Sequence, residues 1–327
     1  MCGKSVSGKR QEGTINKLRS LVKKRMAAVV AATMMSVLAE ENKADEGQNT
    51  VEQDQGAPLF WGFGNYGLYS GYQLYGSLVN DNPTLQGYVE ANMNVWELGY
   101  VGVGLWSNTD LTPRRRNNQI GQAFNEYDPN VHFGRTFWFD DDKTWGLDWR
   151  SSVVWYYYPP KNYKGSRSNH AANHTATTWD FNHSFALLNP YVVPYITVVR
   201  EYSNGANLLV FGAKKEMEVV EDLRLTPYIE AVWREAQYNW CFPTAFDTEV
   251  GGIKHANSGI ATVKIGVDAN YQLTEHFGLF AKVAYCCVVD PDLRDNCDAI
   301  RDMPYDWYSY GSRKDFAWGA VGVSFNF

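Results

Sequence analysis

A chain of 327 residues has room for one large domain or two small ones, and 36 acidic against 30 basic residues give it a formal charge of −6. That balance argues against a nucleic-acid partner, which wants a basic surface. Aromatic residues make up 15% of the chain, with 21 Tyr, 16 Phe and 12 Trp. So high a fraction is unusual in a soluble domain and suits rings gathered at a membrane–water boundary.

The first segment has the pattern of an export signal. Lys17, Arg19, Lys23, Lys24 and Arg25 precede a short apolar run from Met26 to Ala39. Val37 and Ala39 fit the small-residue positions before a cut ahead of Glu40. The run is too short to span a bilayer as a helix. Residues 1–39 are therefore expected to be a signal peptide. Their removal leaves 22 basic against 35 acidic residues. Residues 40–58 are polar and acidic, with almost no core-forming side chains, and are expected to be a flexible periplasmic tail.

From residue 60 the dominant period is two, and residues 59–327 are expected to form one domain. Twelve strands are expected, over 60–76, 83–96, 99–108, 127–139, 145–158, 177–188, 190–202, 206–217, 223–239, 258–272, 276–289 and 314–327. The clearest alternation places Leu85, Val89, Ala91 and Met93 on one face. Gln86, Tyr88, Glu90 and Asn92 lie on the other. In residues 147–158, Leu147, Trp149, Val153, Trp155 and Tyr157 oppose Asp148, Arg150, Ser152, Tyr156 and Tyr158. Residues 223–234 set Leu223, Leu225, Ile229, Ala231 and Trp233 against Arg224, Thr226, Tyr228, Glu230 and Arg234. Residues 259–271 set Ala261, Val263, Ile265, Val267, Ala269 and Tyr271 against Thr262, Lys264, Asp268 and Asn270. The last segment places Ala317, Gly319, Val321, Val323, Phe325 and Phe327 on one small, apolar or aromatic face.

These features imply an all-β fold: a transmembrane antiparallel up-and-down barrel of about twelve strands, apolar outside and polar inside. An even strand count suits closure, which leaves no sheet edge in lipid. The gaps alternate in length, except that 77–82 and 203–205 are short on the long-loop side. Short connections fall near residues 97–98, 140–144, 189, 221–222 and 274–275. Long ones cover 109–126, 159–176, 240–257 and 290–313. That alternation places the long loops outside a bacterial outer membrane and the turns in the periplasm. Outer-membrane lipids and lipopolysaccharide are then partners. The aromatic Phe327 is read as the signal to the barrel-insertion machinery. Arg135 is a departure, because it falls on the apolar face with Val131, Phe133 and Phe137.

The segments Ser70–Gly76, Pro83–Val89, Gly99–Asn108 and Val153–Pro159 resemble the TorF-type porin family of exported Gram-negative barrels. The resemblance covers roughly residues 60–160 and implies a porin-like role. That family carries an Arg-Gly pair where this chain has Tyr75-Gly76, so no role of that Arg is implied here.

The inward residues expected to line a pore are Glu90, Asp148, Arg150, Asp180, Arg224, Tyr228, Glu230, Arg234, Lys264, Asp268 and Lys282. Lys214 joins them. The charges either set a transverse field in an open lumen or pair with one another and fill it. Arg150, Arg224, Arg234, Lys264, Glu90 and Glu230 are the leading candidates for a constriction. Tyr88, Tyr156, Tyr158 and Tyr228 either stack on a sugar or fill space. The favoured function is passive diffusion of small hydrophilic solutes. A non-conducting structural or adhesive barrel is one alternative. A membrane-embedded phospholipase-type hydrolase is another, built on the outward pair Ser151 and His183, with no third orienting residue evident.

No catalytic residue, metal site or cofactor is assigned. His170 and His174 lie four apart in a loop without helical periodicity or further ligands. Arg114-Arg115-Arg116 is a solvated loop turn or a contact for lipopolysaccharide phosphate. Cys241, Cys286, Cys287 and Cys297 show no zinc spacing. A Cys287–Cys297 disulfide or free thiols both fit.

Overall fold

The computed structural model describes residues 59–80, 82–111, 125–157, 177–202, 205–241, 257–301 and 313–327. The expected signal peptide and tail, Arg114–Arg116, Tyr158 and the His170/His174 pair lie outside the described residues.

Antiparallel strands follow one another around a closed wall. They are β1 (Phe60–Tyr69), β4 (Thr84–Asn94), β5 (Tyr100–Asp110), β6 (Asn125–Trp138), β7 (Gly146–Tyr157), β8 (Thr177–Leu188) and β9 (Val193–Glu201). The wall continues through β10 (Ala206–Lys214), β12 (Leu223–Arg234), β13 (Gly259–Gln272), β14 (Phe277–Val288) and β15 (Asp315–Asn326). A short strand, β11 (Met217–Val220), resumes the line of β10 after Lys215-Glu216, because both pair with β12. The ring closes where β1 meets β15, from Phe63 opposite Asn326 to Tyr69 opposite Ala320. The result is a closed antiparallel twelve-stranded barrel.

The outer face is apolar and uncovered. Val103, Val283 and Val321 are 57–59% exposed although they sit in mid-strand. In water such a belt would be an aggregation surface; in lipid it is solvated. Aromatic side chains mark both rims. Trp179 and Tyr202 stack at 4.1 Å at the loop end, near exposed Trp155 and Tyr157. At the turn end Trp145 meets Tyr191 at 6.3 Å, and Trp96, Phe139 and Phe277 are exposed. This is the architecture of an outer-membrane β-barrel, with long connections at one end and short turns at the other. Arg135 lies three residues from the turn end of β6, with its guanidinium 4.8 Å from the Phe137 ring. There it reaches the interfacial zone, which resolves its place on the apolar face.

Three expectations change at the loop end. The first strand does not run to residue 76; it stops at Tyr69. The chain then doubles back as a separate hairpin of β2 (Tyr72–Leu74) and β3 (Ser77–Asn80). Tyr75 and Gly76 at its tip both have positive φ, 46° and 78°, as a two-residue hairpin turn requires. The ninth expected strand, 223–239, stops at Arg234 and gives way to the short helix α1 (Ala236–Cys241). The third change is at Ala261, expected on the outer face but fully buried. Val232 pairs with Thr262 and Trp233 with Ile260, so Ala261 is the extra residue of a β-bulge. The bulge turns it beneath helix α2 (Pro291–Arg301), against Val288, Leu293 and Cys297.

Helix α2 begins where its sequence says it should. The Asp290 carboxylate accepts from the Leu293 amide at 3.0 Å, and Pro291 occupies the first turn. Arg294 ties the helix to the wall through the Val288 carbonyl at 2.7 Å and Asp315 at 3.2 Å. Cys286, Cys287 and Cys297 are all in the thiol form. Adjacent strand residues face opposite ways. Cys287 thus points away from the lumen, while Cys297 packs on the lumen side, and of the two alternatives it is the free thiols that the structure holds.

Facing can be tested by charge placement. Val283→Arg puts a cation in mid-bilayer and is expected to cost about 2–4 kcal/mol. Lys282→Arg, one residue away but inward, should leave stability within about 0.5 kcal/mol. Denaturant unfolding in lipid vesicles measures both.

Candidate functional site in the barrel lumen

The inward face divides into two walls of different charge. The wall from β4 to β9 carries Glu90, Asp110, Glu126, Asp128, Asp148, Asp180 and Glu201. Among its described residues Arg150 is the one inward Lys or Arg. The wall from β10 to β14 carries Lys214, Arg224, Arg234, Lys264 and Lys282 against Glu218, Glu230 and Asp268. Strand order places these walls across the lumen from one another.

On the first wall one carboxylate organises its neighbours. Glu90 is 1% exposed and accepts from Tyr88 at 2.5 Å, Asn92 at 2.9 Å and Arg150 at 2.8 Å. Arg150 also donates to the Tyr88 hydroxyl at 3.0 Å. Asn92 links onward to His132 Nε2 at 2.7 Å, and His132 Nδ1 meets Asn130 at 2.9 Å. The packing needs Gly102, because a Cβ there would collide with Asn92 and His132. Further along, Asp148 accepts from Thr136 at 2.9 Å.

The opposite wall holds three of its cations in ion pairs. Lys264 lies 2.6 Å from Glu230, which also accepts from Tyr195 at 2.9 Å. The Lys264 ammonium stands 5.4 Å from the Tyr228 ring centroid. Lys282 pairs with Asp268 at 3.3 Å, and Arg224 with Glu216 at 3.6 Å.

Exposure of these groups is graded along the axis. Arg224 and Glu216, at the turn end, are 43% and 36% exposed. Lys282 and Asp268 are 31% and 26%, and Lys264 and Glu230 both 14%. At the loop end Arg234 falls to 1% and Asp180 to 2%. Along the β10–β14 wall the lumen is a funnel, open at the turn end and closed toward the loops, whereas on the facing wall Glu90, Asn92 and His132 are only 1–5% exposed.

Three elements make the seal. Val199, Leu208 and Val232 form an apolar cluster capped by Tyr238 of α1. Helix α2 covers Ala261. The β2–β3 hairpin crosses between the walls. The Arg234 guanidinium donates to the Tyr75 carbonyl at 2.8 Å, and the Tyr75 and Tyr156 hydroxyls lie 3.4 Å apart. Tyr72 packs on Trp106 at 5.3 Å, and Leu78 on Cys286 and Phe316. Contacts to β5, β7, β12, β14 and β15 together place the hairpin inside the barrel.

All eleven residues expected to line the lumen lie on its inward face. They do not make one constriction. Arg224 and Arg234 are ten residues apart on β12, about 33 Å along the strand. Asp180 accepts from Tyr156 at 2.8 Å, close to the hairpin tip. Asp110, Glu126, Asp128 and Glu201 were not among the expected residues. Continuing the inward period of two through Asn108-Thr109-Asp110 and Glu126-Tyr127-Asp128 reaches three of them. Asn108, opposite Glu126 across the strands, is fully buried, and its side-chain amide has no hydrogen-bond partner among the described residues.

The outward pair Ser151 and His183 are cross-strand partners. No hydrogen bond joins their side chains, and His183 meets Phe181 edge-on at 4.6 Å. Among the described residues no cluster of His, Cys, Asp or Glu has the geometry of a metal site.

No family model and no curated protein matches the chain. Solved barrels do. A KdgM porin shares 9% identity, covering 81% of this chain and 99% of its own, at a TM-score of 0.40. An outer-membrane channel from Pseudomonas putida F1 shares 11%, covering 86% and 100%, at 0.45. Outer membrane phospholipase A from Escherichia coli shares 10%, covering 81% and 92%, at 0.40. At these scores the likenesses add nothing to the charge arrangement above, which rests on this chain's own residues.

Glu90→Gln leaves Arg150 half-buried without its carboxylate and is expected to cost about 3–5 kcal/mol. Adding Arg150→Met should recover most of that loss. Equilibrium unfolding of both variants in vesicles measures the coupling.

Proposed function

We propose that this barrel is an outer-membrane channel for passive diffusion of small hydrophilic solutes. The observation that carries the reading is the funnel. Charged side chains grow steadily more hydrated from Lys264 through Lys282 to Arg224. A solid lumen would bury them evenly. Paired rather than bare charges lower the barrier to passing solutes without trapping them. The chain's other features fit the same reading: a leader in residues 1–39 for export, a polar, acidic segment over 40–58, and Phe327 for delivery to the insertion machinery. The TorF-type resemblance belongs to this proposal too.

The acidic wall outweighs the basic one, so a small cation preference follows. Asp148 and Lys214 are exposed enough toward the turn end to act on permeating ions.

Purified protein in a planar bilayer is expected to give stepwise currents, with a reversal potential favouring potassium over chloride. Lys214→Glu should strengthen that preference. A folded barrel that carries no current at any voltage would return the non-conducting, adhesive reading.

A further inference from the structure

We infer that the β2–β3 hairpin is a movable gate that closes the lumen from inside, latched by Arg234. The inference rests on the channel reading above.

The hairpin is built as a separate piece. Its two strands pair with each other and not with the barrel sheet. A lone two-stranded hairpin is marginal by itself, so its closed position depends on what holds it to the walls. The root is firm. Ser70 exchanges backbone and side-chain bonds with Gly319 at 2.8 and 3.0 Å, and Trp318 donates to the Gly71 carbonyl at 3.2 Å. The tip is held differently. Its strong polar contact is the Arg234 guanidinium on the Tyr75 carbonyl; the Thr262 hydroxyl lies farther off at 3.5 Å. The Tyr75 hydroxyl adds a long contact to Tyr156 at 3.4 Å, and Tyr72, Tyr75 and Leu78 pack on inward rings and Cys286.

The tip fits a socket. Gly76 sits so close to Thr262 that a Cβ would collide with that side chain. Tyr75 carries a positive φ that a residue with a side chain rarely adopts. Arg234 itself is 1% exposed, and the ring of Tyr238 lies 5.5 Å from its guanidinium. A buried cation that donates to a backbone carbonyl at the moving end suits a latch. Withdrawing the tip uncovers the inward groups beneath it, Tyr156 and Asp180 among them, and joins the turn-end funnel to the loop end.

The chain supplies its own reporter. The Cys286 thiol lies 3.9 Å from the Gln73 amide oxygen. Gln73→Cys, with Cys241, Cys287 and Cys297 changed to Ser, places a second thiol on the hairpin facing Cys286. A short bis-methanethiosulfonate bridges the two, and mass spectrometry confirms the link. A matching variant that also carries Cys286→Ser controls for modification of residue 73 alone. A second protein replaces residues 71–81 with a short glycine turn, and circular dichroism checks that the barrel remains folded.

Single-channel recording then separates the outcomes. The intact chain is expected to open intermittently. Bridging the thiol introduced by Gln73→Cys to Cys286 should cut open probability at least tenfold, with recovery on reduction, and the hairpin replacement should hold the channel open. An open hairpin replacement together with an unchanged bridged channel makes the hairpin a fixed constriction and overturns the gate. Unchanged gating in both proteins overturns it as well. No current even from the folded hairpin replacement defeats the channel reading itself.

Discussion

Lipid offers no partner to a backbone amide, so a sheet that enters a bilayer must satisfy every strand edge within itself. In this chain that requirement falls on the seam between β1 and β15. Gly62 and Phe327 exchange backbone bonds at 2.8 and 3.0 Å, and the ladder continues to Tyr69 opposite Ala320. Once the seam is closed, strand alternation sorts every side chain to lipid or lumen. The exposed valines of the belt and the paired charges within are two consequences of that one closure.

The lumen then faces a problem of its own. Charges brought inside a barrel must be solvated or paired. At the turn end water does the work, and Arg224 stays 43% exposed. Midway the groups pair, as Lys264 does with Glu230. At the loop end protein replaces water. Tyr75 offers its carbonyl to Arg234, and Tyr156 its hydroxyl to Asp180. Asn108 is fully buried there. The hairpin therefore does more than obstruct. It supplies polar partners to groups that the wall leaves pointing inward.

Much of the wall was legible in the residues. Clean alternation in β4, β7 and β12 gives the same two faces as the strand pairing, and in β13 it does so except at Ala261. The seal was not legible, for a physical reason. Ser70–Gly76 alternates as well as a continuing strand does, and a period of two cannot tell a wall strand from a hairpin strand. The cue was Tyr75-Gly76, a pair suited to a two-residue turn. Asp110 and Glu126 fell outside the expected strands because polar residues near a strand end read as loop. Ala261 was misfaced because a single bulge inverts the alternation on one side of it.

The most direct test of a lumen wet at one end and sealed at the other is thiol accessibility. Arg224→Cys and Asn108→Cys, each in a chain lacking its native cysteines, would be exposed in vesicles to a charged, membrane-impermeant thiol reagent on both sides. The account requires prompt modification at 224 and none at 108 until residues 71–81 are replaced. Equal reactivity of the two positions in the intact chain, or a protected thiol at position 224, would contradict it.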